Sequence, residues 1–195
     1  MRKRRGFTVL EILIGIALIA IMSAAVIPAL MGRVRDAQTS ALGQSLFSLS
    51  QAIFEYRKAV TSYPRELVLL ARKPNQPSQP VDLDLCGNAI TNGNANSWRG
   101  PYVSRELVSG GIGIGDAQIQ NSLRRTPAAP ALPTTLYIDV VMVDTLTAVD
   151  LEAQFDGDAN PATGSIRYTT LAVPPIPAAA PGTVTLSYAM PVNGC

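Results

Sequence analysis

Residues 6–30 read GFTVLEILIGIALIAIMSAAVIPAL, and residues 2–5 just before them are Arg-Lys-Arg-Arg. From residue 12 to residue 30 the chain carries no charge. Coiled as a helix, that run extends about 28 Å, close to the ~30 Å hydrocarbon thickness of a bilayer. Gly15 and Pro28 interrupt it, and both residue types are tolerated in membrane helices. The basic cluster ahead of the run outweighs Arg33 and Arg35 behind it. That asymmetry keeps the start in the cytoplasm and delivers the rest outside. A cleaved secretory signal is the rival reading. It fits less well, because the run exceeds the usual ~7–15 apolar residues and only MSAAVIP at 22–28 offers a small-residue cleavage site.

One carboxylate, Glu11, stands at the head of this run. An acidic side chain at the bilayer centre costs about 2.5–3.5 kcal/mol, and less near the interface. Snorkelling toward water would be enough for a simple anchor. Spacing supplies a second reading. A cut between Gly6 and Phe7 frees an amine five residues from the carboxylate, counting inclusively. In an assembly, Glu11 of one copy would then neutralise the Phe7 amine of its neighbour.

Gly6, Phe7, Glu11, the short basic leader and Pro28 together resemble the N-terminus of type IV prepilins and type II secretion pseudopilins. The resemblance implies that a membrane-embedded prepilin peptidase cleaves after Gly6 and that Phe7 is N-methylated. It also implies a helical filament of copies of the chain and related pilins, raised from an inner-membrane assembly platform, with bundled N-terminal helices as its core. Glu11 and Pro28 are the assembly residues on this reading. The chain divides into a leader at 1–6, a membrane and filament-core helix at 7–31, and an exported head at 32–195. The subunit is expected in the bacterial inner membrane with its head in the periplasm, and afterwards in a periplasmic or cell-surface filament.

Beyond the apolar run, Leu42, Leu46, Leu49, Ile53, Tyr56 and Val60 recur in steps of three and four. That is a helix stripe, and it predicts one helix from about Phe7 to about Thr61. A coiled coil is the rival, but the pattern lasts under three heptads. Pro64 then ends the helix or starts a short second one. Residues 71–134 show little periodicity and are expected to be irregular. After residue 134 the period becomes two. TLYIDVVMV, AVDLEAQF, SIRYTTL and TVTLSYAM predict four strands of an antiparallel sheet with one solvated face. In AVDLEAQF, Val149, Leu151, Ala153 and Phe155 are expected to face inward. The fold class is therefore α+β, with a long helical spine packed on a four-stranded antiparallel sheet. It agrees with the pilin-like fold that the N-terminus implies.

SYP at 62–64 and NSWRGPYV at 96–103 resemble the body of type II secretion pseudopilins, through Trp98, Gly100, Pro101 and Tyr102. A pseudopilin is the leading reading. The length of the chain and its cysteine pair keep a type IV pilin or minor pilin as the alternative.

The chain contains no histidine, which removes Ser-His-Asp and Cys-His catalysis and histidine-based zinc sites. Cys86 and Cys195 are its two cysteines. Export and an even count point to one disulfide, with a pair of buried thiols as the other reading. Without residues 2–5, 12 basic residues face 14 acidic ones. A net of −2 argues against a nucleic-acid surface, leaving only a local patch such as Arg124–Arg125. Asp156, Asp158 and Asn160 alternate in FDGDANPATG, as the oxygen ligands that open a calcium loop do. Pro161 and Arg167 depart from the EF-hand pattern. An Asp-Gly hairpin turn between two strands is the favoured reading, with calcium kept as the alternative, and no other cofactor is expected. GGIGIG lacks both a G-x-G-x-x-G spacing and a P-loop lysine, so it is taken as a loop. A membrane-tethered enzyme would need an acid-only site, such as a carboxylate pair in a cleft. A structural, non-enzymatic role is the expectation.

Overall fold

A computed structural model describes residues 8–77, 80–104, 107, 110–126, 134–158, 160–168 and 182–193, without the side chains of Ala25, Pro28 and Ala29. The chain separates into two compact units, Met1–Ala37 and Gln38–Cys195. Helix α1, Val9–Val60, supplies most of the first and begins the second.

In the first unit, every large apolar side chain described between residues 9 and 34 is more than half exposed. No stripe is set aside for a core. Among the described residues no helix is long and apolar enough to cross a membrane. The uncharged run at 12–30 includes the three positions whose side chains are not described.

The second unit contains the expected stripe. Leu42, Leu46, Leu49, Ile53, Tyr56 and Val60 are all buried. They share one core with Ile119, Leu123, Leu136, Ile138, Val140 and Leu186 from the sheet. Each such side chain contributes about 1.5–3 kcal/mol by leaving water. Thr61, at φ 66°, turns the chain out of the helix three residues ahead of Pro64.

Among the described residues the sheet has five strands rather than four: β1 (Ile112–Ile114), β2 (Ala117–Arg125), β3 (Thr134–Asp144), β4 (Ile166–Tyr168) and β5 (Thr183–Val192), in the order β1-β2-β3-β5-β4. Every pairing is antiparallel. Three of the expected strands are present as β3, β4 and β5. Strands β1 and β2 lie in the stretch expected to be irregular. Strand β1 is only three residues long, and β2 places polar Asn121 between its inward residues Ile119 and Leu123, where it accepts from the Val68 N–H at 2.9 Å, so no run of alternating apolar residues marks either strand. Gly111, at φ 105°, precedes β1, and a Cβ there would overlap the Ile119 carbonyl oxygen, so only glycine fits.

The fourth expected strand, AVDLEAQF, is instead part of helix α3, Thr145–Phe155. Asp144 caps it, with Oδ1 accepting from the N–H groups of Leu146 at 2.9 Å and Thr147 at 3.3 Å. The buried positions are Thr147, Ala148, Leu151 and Glu152, a helical spacing. Ala153, expected to face inward, is exposed. Leu, Ala, Glu and Gln favour the helix, and the cap decides the matter.

Between α1 and β1 the chain folds around a 3-10 turn, Leu67–Leu70, and the short helix α2, Asn92–Asn96. Trp98 Nε1 donates to the Leu69 carbonyl at 3.1 Å, and the Tyr102 N–H donates to the Leu70 carbonyl at 2.8 Å. Tyr102 meets both Tyr56 and Trp98 edge-on, with centroids 5.9 and 5.8 Å apart. The Trp-x-Gly-Pro-Tyr segment is thus a clamp closing the end of the core. A Cβ on Gly100 would overlap the Trp98 ring.

Candidate assembly site and head loops

Of the residues expected to direct processing and assembly, Gly6 and Phe7 lie outside the described residues. Pro28 lies within α1, and its side chain is not described. Glu11 is exposed in the first turn of α1. The turn is closed by Thr8, whose carbonyl accepts from the Glu11 N–H at 3.1 Å and whose Oγ1 accepts from it at 3.2 Å. A carboxylate there is favoured by the positive end of the helix dipole. The helix therefore begins two residues past the expected cut.

Among the described residues there is no free cysteine, and Cys86 is disulfide-bonded. Cys195 lies outside the described residues. The Asp84 carboxylate folds the Cys86 loop, with Oδ1 accepting from the N–H groups of Cys86 at 2.9 Å and Asn88 at 2.8 Å.

Asp156, Asp158 and Asn160 occupy the loop between α3 and β4, not a hairpin between two strands. Asp156 closes it, accepting from the N–H groups of Ser165 at 2.8 Å and Ile166 at 2.7 Å. Asp158 accepts from Asn160 N–H, and Asn160 Oδ1 from Ala162 N–H. All three side chains thus fasten their own loop. Among the described residues no three His, Cys, Asp or Glu side chains are gathered to hold a metal.

No sequence signal singles out Glu152. It is 1% exposed on α3, and neither carboxylate oxygen has a hydrogen-bond partner. Burial pushes its carboxyl above the usual range; the Tyr168 hydroxyl offsets part of that, and Asp158 and Asp156 add to it. Burial and Glu152 in turn push the Tyr168 hydroxyl up to about 12. Asp156 and Asp158, the nearby carboxylates, accept from the backbone of the α3–β4 loop.

Residues 1–27 match the family model for the prokaryotic N-terminal methylation motif. The chain carries a prokaryotic N-terminal methylation motif. Matched with it are Gly6, Phe7 and Glu11, and all but the last few residues of the apolar run. The chain is also 30% identical over 82 residues to type II secretion system core protein G of Dickeya chrysanthemi. That match covers 40% of this chain and 54% of the relative, about half of its length. No solved structure matches. The motif and the similarity agree with an N-terminal helix packed on an antiparallel sheet, the pilin-like arrangement described above.

Proposed function

We propose that the chain is a structural, non-catalytic subunit of a pilus-like filament, of the type II secretion pseudopilin kind. The observation that carries this reading is the methylation motif running directly into a helix that is apolar all round. Such a helix needs lipid or other helices on every side. Residues 7–31 serve both conditions in turn, first as an inner-membrane anchor and then as filament core. The head at 32–195 stays in the periplasm.

Prepilin peptidase cuts between Gly6 and Phe7, and Phe7 is N-methylated. Glu11 of one subunit neutralises the Phe7 amine of the next and sets the axial register. The similarity to core protein G favours a secretion filament over a surface pilus. Cys86 pairs with Cys195. Leu85 N–H donates to the Tyr63 carbonyl, Arg57 stacks on the Tyr63 ring, and Arg57 reaches Asn193. Cys195 follows two residues later, within about 7 Å of chain.

The test is mass spectrometry of the full chain expressed with and without a prepilin peptidase. The expected product has lost residues 1–6 and gained one methyl group on Phe7, only when the peptidase is present. An intact N-terminus in its presence would overturn the reading.

A further inference from the structure

Leu136, Ile138 and Val140 face the core, so alternation along β3 turns Tyr137 and Asp139 to the outer face of the sheet. There the registers set Arg124 of β2 opposite Tyr137, and Ser187 of β5 opposite both Asp139 and Arg167 of β4. The guanidinium carbons of Arg124 and Arg167 lie 5.3 and 5.7 Å from the centre of the Tyr137 ring. Arg124 grips Asp139 through Nε and Nη2. Arg167 donates from Nη1 to the Tyr137 hydroxyl at 3.0 Å and from Nε to the Gly164 carbonyl at 3.1 Å.

Two guanidiniums thus face one carboxylate, an excess of one positive charge. They border an open cavity of about 540 Å³ that also presents Thr185. Arginines fixed beside a ring, Arg124 by the Asp139 carboxylate and Arg167 by the Gly164 carbonyl, lose little further freedom when they bind a carboxylate.

The other end of β3 has the opposite sign. Asp144 ends the strand and Asp116 sits in the β1–β2 turn, both exposed. They border one recess of about 180 Å³ beside Gln38, with no basic side chain in its lining. At about 3.3 Å per residue, Asp144 lies roughly 23 Å along the strand from Tyr137. A head with a basic pocket and an acidic rim at opposite ends of one strand is suited to a head-to-tail contact. Repeated without closing, such a contact generates a helical filament.

We propose that the pocket of Arg124, Tyr137 and Arg167 on one subunit docks the Asp116 and Asp144 rim of a second copy of this chain. The inference rests on the filament reading and adds the surface by which heads meet. The test uses the full chain with its assembly machinery and reads filament yield by electron microscopy. Arg167→Glu and Asp116→Arg each reverse one charge at a position outside the core. Each alone is expected to lower filament yield several-fold, and the two combined in one chain to restore it. Protease resistance of the unassembled variants checks that each still folds. Wild-type filaments unaffected by either reversal would overturn the docking alone, as would a double variant no better than the singles. That result would leave the pocket to a free anion or to an acidic segment of another protein. Absence of wild-type filaments would overturn the filament reading and the docking with it.

Discussion

The Arg57 guanidinium donates from Nη2 to the Asn193 carbonyl at 2.8 Å while its carbon lies 4.7 Å over the Tyr63 ring. One side chain on α1 therefore ties down both the chain leaving the helix and the chain following β5. Arg57→Ala removes a charged hydrogen bond and a cation–π contact, and is expected to cost about 1–2 kcal/mol. Urea denaturation of the purified chain measures it. No change in midpoint would show that the C-terminal segment is held by other contacts.

Cys86→Ser should lower stability by about 2–5 kcal/mol under oxidising conditions. With reductant present, wild type and variant should unfold alike. Equal stability without reductant would refute a stabilising bond from Cys86 to Cys195.

Glu152→Gln tests the buried acid through pH. Below the ordinary carboxyl value of 4.5, folded and unfolded chains both hold the proton, and the contribution of Glu152 is fully present. Above it the unfolded carboxyl ionises while the buried one stays protonated. Stability therefore falls as pH rises, until the folded group ionises too. As pH rises above 4.5, the wild-type thermal midpoint should fall relative to that of the variant. A difference between the two that stays constant with pH would rule out the raised value.

Tyr56 is fully buried, and its hydroxyl has no hydrogen-bond partner among the described residues. Burial, with Asp82 next in importance, holds that hydroxyl well above its ordinary value. Tyr56→Phe should be neutral or slightly stabilising, because an unsatisfied buried hydroxyl costs about 1–3 kcal/mol. Tyr56→Ala should cost about 3–5 kcal/mol through the cavity it leaves. A Phe variant clearly weaker than wild type would mean that the hydroxyl is bonded after all.

Glu11→Val probes register in the assembled state. The variant should insert into membranes and be processed normally, yet fail to form filaments or form them in reduced amount. Normal filaments from the valine variant would remove the proposed pairing with the Phe7 amine.

The spine was legible because its signals are local. Six apolar residues at helical steps announced the buried face of α1, and β3 and β5 alternate without ambiguity. AVDLEAQF misled because its alternation competes with a cap at Asp144, one residue before the helix and outside the alternating window. Strand β2 stayed hidden because polar Asn121 stands between its two inward apolar residues, Ile119 and Leu123. At the N-terminus the motif was fully legible, since its information is in spacing. Glu152 and the basic pocket were not. The first depends on what covers a helix, and the second joins Arg124 and Arg167, more than forty residues apart in sequence, through the sheet register.

The chain has a single tryptophan, and its indole N–H is bonded to the Leu69 carbonyl beside Tyr102. Intrinsic fluorescence is therefore an optical gauge of one neighbourhood. A shift in emission wavelength on binding or assembly would report opening of the clamp at the end of the core.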